Sequence, residues 1–266
     1  MEKENPPAIQ PAARAAAAYV NARVKPGRTF TTIFSERIFY ADGRETARQT
    51  FDADGNITDS SGEPFTGPAK DYYDNGTLKQ EACFDGGLME GEVKTYDRQG
   101  RLISVEHYEN GLREGSAVIY DFSGGLVDNQ HFEYRKGKLN GRRTAYNAKG
   151  AVVWIENFKN GKLDGTREFF YSTGKKYLQI RYKDDVPQGK RLTFYENGAL
   201  MYEENYDRGR LQGRRTGWYP DGKKFVEENY KDNLLDGMRV VYDESGAVRT
   251  KQFYTRGEPR ANAERQ

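Results

Sequence analysis

GKRLTFYENGALMYEENYDRGRLQG, residues 189–213, decides how the whole chain is read. It opens on Gly189 and closes on Gly213, 24 residues later. Five residues after the first glycine stands Phe194, nine after it Gly198, and eight further on Tyr206. The same four columns recur outward in both directions. The row glycines are Gly67, Gly91, Gly115, Gly141, Gly165, Gly189, Gly213 and Gly237. The first aromatics are Tyr72, Tyr96, Tyr120, Tyr146, Phe170, Phe194, Trp218 and Tyr242. Four columns kept in register over eight rows identify an internal repeat.

The chemistry of each column assigns its structure. Asp74-Asn75-Gly76, Glu196-Asn197-Gly198 and Asp221-Gly222 are hairpin signals, because Asn, Asp and Gly accept a positive φ. The flanking runs therefore pair as antiparallel strands, and Val152, Trp154, Glu156 and Phe158 share one face by period-two parity. The return connection is Gly-x-x-x-Gly, as at Gly111–Gly115 and Gly209–Gly213. Asp185 and Asn233 replace its first glycine, which predicts a left-handed backbone there. One row, from Gly115 to Gly141, is two residues longer and carries both Phe132 and Tyr134. An even insertion keeps side-chain facing. The fold class expected is mainly β: an elongated array of stacked antiparallel hairpins of about 24 residues each.

The ends are less regular. Phe39, Gly43 and Phe51 fit the aromatic, turn and aromatic spacing, so residues 30–66 read as a degenerate first repeat with an insertion within 54–64. Residues 1–29 are an extension or a cap, with a short helix over Pro11–Arg23 as one alternative and a flexible segment as the other. The array proper is 67–258 and a flexible tail follows at 259–266.

Composition agrees with a thin assembly. There are 29 glycines and 19 tyrosines in 266 residues, while the hydrophobic fraction is only 36%. A formal charge of +2 gives no strong field to collect nucleic acid. Cys83 is the single cysteine, so no intrachain disulfide forms, and a reducing, cytoplasmic setting is expected. Export is the alternative if a signal segment has been removed. No run is long and apolar enough for a bilayer-spanning helix.

The rows YDNGTLK (73–79), YENGAL (195–200) and YKDNLLDG (230–237) resemble the MORN-repeat family, in its bacterial variant form. The sequence is also similar to YwqK-type antitoxin components. That resemblance implies an array of hairpins that binds or spaces other molecules, with a protein toxin as partner. The wider family's link to membranes adds acidic phospholipid as an alternative partner and a tethering role as the alternative function.

Catalytic chemistry finds little to work with. Cys83, His107 and His131 line up sixteen residues after successive row glycines. Equivalent positions in adjacent hairpins lie roughly 10 Å apart, too far for three zinc ligands or for a nucleophile and its base. Glu203-Glu204 and Glu227-Glu228 are consecutive in strands and point to opposite faces. No catalytic residue, metal site or cofactor is expected, and the chain reads as a non-enzyme.

The polar column that stands out is arginine: Arg143, Arg167, Arg191, Arg215 and Arg239, each two residues after a row glycine. Ala69, Val93 and Ala117 fill that position in the first three rows. One reading is a docking strip for an acidic partner. The other is a surface ion ladder, because Glu156, Glu204 and Glu228 follow Arg143, Arg191 and Arg215 by thirteen residues. On that rule Arg167 faces Ile180 and Arg239 faces Gln252, which leaves these two free for a partner. Trp154 and Trp218 are the aromatic candidates for partner contact.

Overall fold

The computed structural model describes residues 28–33, 35–53, 56–63, 66–122 and 128–260. The Pro11–Arg23 alternative lies outside them. Among the described residues every regular element is a strand, in two compact units, one ending at Arg113 and the other starting at Glu114.

Unit 1 holds β1 (Arg28–Ile33), β2 (Glu36–Ala41), β3 (Arg44–Phe51), β4 (Ile57–Gly62), β5 (Gly67–Tyr72), β6 (Leu78–Asp85), β7 (Leu88–Tyr96), β8 (Leu102–Glu109) and the two-residue β9 (Leu112–Arg113). β5 to β8 form two hairpins of the repeat, in the expected register: Gly67 faces Phe84 and Gly91 faces Tyr108. The stretch before them is more than one degenerate row. β1 pairs with β2, β2 with β3 and β3 with β4, all antiparallel, and β1 also lies parallel to β5. The inserted residues within 54–64 thus contain the whole of strand β4.

These extra strands explain the small residues of the first rows. Phe30 of β1 and Phe39 of β2 both meet Phe84 of β6, with ring centroids at 4.9 and 5.2 Å. Since β1 and β5 separate β2 from β6, the sheet curls over its own face. Beneath the rings lie Ala47, Ala69, Ala82, Met89 and Val93, all buried in one cluster. An arginine at position 69 or 93 would collide with that packing. Ala69 and Val93 are the floor on which the phenylalanines sit.

Unit 2 continues the repeat with β10 (Gly115–Asp121), β11 (Asp128–Arg135), β12 (Lys138–Leu139), β13 (Gly141–Tyr146), β14 (Val152–Lys159), β15 (Lys162–Leu163), β16 (Gly165–Phe170), β17 (Lys176–Lys183) and β18 (Val186–Phe194). It ends with β19 (Leu200–Asp207), β20 (Arg210–Leu211), β21 (Gly213–Trp218), β22 (Lys224–Lys231), β23 (Leu234–Leu235), β24 (Gly237–Tyr242), β25 (Val248–Thr255) and β26 (Glu258–Pro259). Long strands pair antiparallel in sequence, both within a hairpin and between hairpins.

The two ends of each row turn differently. At the Tyr-x-x-Gly end, Tyr195 N–H donates to Ala199 O and Gly198 N–H to Tyr195 O, both at 2.9 Å, and a bulge precedes the turn. Asn197 Oδ1 accepts from Ala199 N–H at 2.9 Å, which accounts for Asn or Asp before the glycine in the rows that carry it, Asn75, Asn197 and Asp221. At the other end the reversal is a two-residue turn with both φ values positive, such as Asn110 (50°) and Gly111 (78°). Asp185 and Asn233 adopt the expected left-handed backbone, at 69° and 70°. Their side chains add something glycine lacks: Oδ1 accepts the amide of Leu163 or Leu211, 22 residues back, at 2.8 or 2.7 Å.

Other bonds also tie one row to the next. The hydroxyl of Tyr195 donates to Trp218 O at 2.9 Å, that of Tyr171 to Phe194 O at 2.8 Å, and that of Tyr73 to Tyr96 O at 2.9 Å. In rows that lack this tyrosine, Asp97, Asn147 and Asp243 cap their own turns instead.

The long row corrects one alignment. Gly115 faces Tyr134, so Tyr134 and not Phe132 takes the second aromatic position, and Phe132 faces Ala117. His131 consequently faces Val118, two residues away from the column of Cys83 and His107. The insertion lies on the turn side of the pairing and, being even, preserves the facing.

Candidate functional site

Pairing register places one residue of each strand on a single same-face column of unit 2: Ala117, Phe132, Arg143, Glu156, Arg167, Ile180, Arg191, Glu204, Arg215, Glu228, Arg239 and Gln252. The five arginines of the sequence pattern are all in it, and so are the three glutamates. Register opposes Arg143 to Glu156, Arg191 to Glu204 and Arg215 to Glu228.

Arg167 and Arg239 are not free. Arg167 Nε lies 2.8 Å from Glu156 Oε1, and Arg239 Nε lies 2.8 Å from Glu228 Oε1. The thirteen-residue rule counts only across the Tyr-x-x-Gly turn. Across the tight turn the matching interval is eleven, and 167 − 11 and 239 − 11 give Glu156 and Glu228. The glutamate of each row therefore serves the arginine of its own row and that of the next.

The result is two internal networks. Arg143 and Arg167 share Glu156, with Arg143 Nη1 at 3.5 Å from it. Arg191, Arg215 and Arg239 alternate with Glu204 and Glu228, at 2.8 and 2.9 Å to the first and 2.7 and 2.8 Å to the second. Each carboxylate offers one oxygen to each neighbour. Glu156, Glu204 and Glu228 are only 5%, 6% and 5% exposed, so these are not surface pairs in free solvent. Burial opposes ionisation of Glu228, but the hydrogen bonds from Arg239 and Arg215 prevail and hold its carboxyl below the usual range.

Aromatic rings flank the column and carry the arginine planes. Arg143 stands 4.9 Å from the Phe132 ring and 4.8 Å from that of Trp154. Arg167 stands 4.8 Å from Phe169, and Arg215 stands 4.1 Å from Tyr202. Trp154 is thus half-buried beneath an arginine. Trp218 is also half-buried, and its carbonyl accepts the Tyr195 hydroxyl. In both networks the arginines face the glutamates, and Trp154 packs against Arg143 of the first.

The opposite face of the same strands is different. Met238 of β24 and Phe253 of β25 are direct cross-strand partners, 42% and 46% exposed. The next same-face pair is Val240 with Lys251, and Lys251 is exposed. This pair is not legible in the sequence, because Met238 and Phe253 each differ from the residues at the same position of the neighbouring rows. Among the described residues no three His, Cys, Asp or Glu gather at metal-binding distance.

The family profile described as MORN repeat variant matches residues 65–85, 89–110, 163–184, 187–208 and 211–232. The hairpins β10–β11, β13–β14 and β24–β25 lie outside those matches and have the same antiparallel pairing. A search of curated proteins finds no match.

Proposed function

Starting from a chain that carries MORN variant repeats, we propose that it is a non-catalytic scaffold holding a protein partner against the face of unit 2 that bears Met238 and Phe253. MORN repeats are consistent with a repeat scaffold or binding module. The observation that carries the choice of surface is the exposed apolar pair itself. Two large side chains opposite each other on a sheet face, bordered by Lys251, have the makeup of an interface centre with a polar rim. The arginine column has less to offer, since its guanidinium groups are engaged by buried glutamates and rings.

The partner in this reading is a protein toxin, covered by steric masking with no covalent step. That choice rests on the resemblance to YwqK-type antitoxin components read from the sequence alone. Affinity capture from source cells with the wild-type chain and with Met238→Ser/Phe253→Ser tests it. A protein retained by the first and lost by the second is the expected result. Capture of nothing, or equal capture by both, overturns the surface. Binding to anionic vesicles that weakens with salt would point instead to the phospholipid alternative.

A further inference from the structure

Arg37 of β2 differs from the paired arginines of unit 2. No carboxylate among the described residues lies within 4 Å of its guanidinium, whereas Arg48 pairs with Glu36 and Glu45, and Arg113 with Glu106. Its group is enclosed by rings, 4.8 Å from the centroid of Phe51 and 5.4 Å from that of Phe84. Among the described residues its one hydrogen bond is long, from Nη1 to Gly87 O at 3.4 Å. Its Nε is buried without a hydrogen bond, as are those of Arg143, Arg167 and Arg191, so the missing carboxylate is what sets Arg37 apart. Burial draws its pKa down to about 10, with the nearby Tyr108 pulling the other way, so the group stays charged at neutral pH. An enclosed cation without a counter-charge is costly.

Arg37 also lines a cleft of about 790 Å³ within unit 1, half open to solvent. Phe51, Ile57, Leu88 and Leu112 supply apolar wall, and Asp52 and Asn110 are polar members. The volume is that of a small-molecule site. We propose that this cavity binds a monocarboxylate with an apolar body, its carboxylate received by the Arg37 guanidinium. The apolar wall takes the body, and the unspent N–H groups of Arg37 take the charge. A phosphate fits worse: its second negative charge meets no second cation among the described residues, and Asp52, already bonded to Asn56, adds a like charge to the wall. The acid can be a free small molecule or the free end of a peptide with an apolar last residue.

Calorimetric titration of the full chain separates these cases, with hexanoate, a tetrapeptide ending in a free leucine carboxylate, its C-terminal amide and inorganic phosphate as probes. Saturable one-site binding of a carboxylate probe, at least tenfold weaker in Arg37→Met, is expected, with no binding of amide or phosphate. Hexanoate binding as well as the peptide marks a small acid; a peptide tenfold tighter marks a chain end. The proposal is overturned if neither carboxylate probe binds, if Arg37→Met binds equally, or if phosphate or amide matches the carboxylates. Arg37→Met is checked for folding by circular dichroism. Should it fail to fold, Leu112→Trp, which fills the cavity and keeps Arg37, is read by the same criteria.

Discussion

Glu228 shows how one side chain can be costly alone and stabilising in company. Its carboxyl is almost fully buried, and two arginines approach its two oxygens. Replacing it with alanine strands both cations and is expected to cost about 2 kcal/mol, a figure reduced because the arginines remain partly exposed. Its acidity is raised in the fold, so the stability it adds is present above about pH 4.5 and is lost as pH falls through the lower folded value. Urea unfolding at pH 7 and pH 3.5 checks this: Glu228→Gln should lose less stability on acidification than the wild type. Asp71 has the opposite sign. Burial raises its carboxyl although Lys79 lies at 2.8 Å, so its penalty is present at neutral pH and is relieved as pH falls through the folded value. Asp71→Asn is therefore expected to be close to neutral or mildly stabilising at pH 7. Much of this chemistry was legible, since arginines at a fixed offset and glutamates thirteen residues later stand in the sequence. The second partner of each glutamate was missed because the eleven-residue interval belongs to the other turn.

At the scale of the hairpin, the repeat is held by bonds between rows as well as within them. Tyr195→Phe removes one hydroxyl bond to the next row's backbone and keeps the ring, so a loss of about 1 kcal/mol is expected in chemical unfolding. Asp185 separates two effects in one position. Asp185→Gly keeps the left-handed turn and loses only the bond to Leu163 N–H, whereas Asp185→Ala loses the bond and strains the backbone at φ 69°. The alanine variant should be the less stable by about 1 kcal/mol, measured by the same unfolding assay. Turn chemistry and strand parity were plain in the sequence because they are local. The four-strand start of unit 1 was not: β1 pairs with both β2 and β5, and the 30–66 stretch matches the repeat at only three positions. Its reason becomes visible only once Phe30 and Phe39 are seen on the small residues of later rows.

For the whole chain, the position two residues after the row glycine has different uses in the two units. In unit 1 it is Ala69 and Val93, covered by aromatic rings; in unit 2, from Arg143 on, it is arginine interlocked with glutamate. Both arrangements occupy the centre of one face with intramolecular packing. In unit 2 that leaves the opposite face, with Met238 and Phe253, as the better place for a partner. Charge reversal at Arg167 or Arg239 is a poor probe of binding here, since a new carboxylate beside Glu156 or Glu228 would damage the fold. The decisive measurement is the affinity of the protein captured from source cells for the chain carrying Arg239→Gln and for Met238→Ser/Phe253→Ser, each confirmed folded. Affinity within twofold of wild type is expected for the first and at least tenfold weaker for the second. The reverse order would make the arginine column the docking strip and rule out the Met238 and Phe253 face.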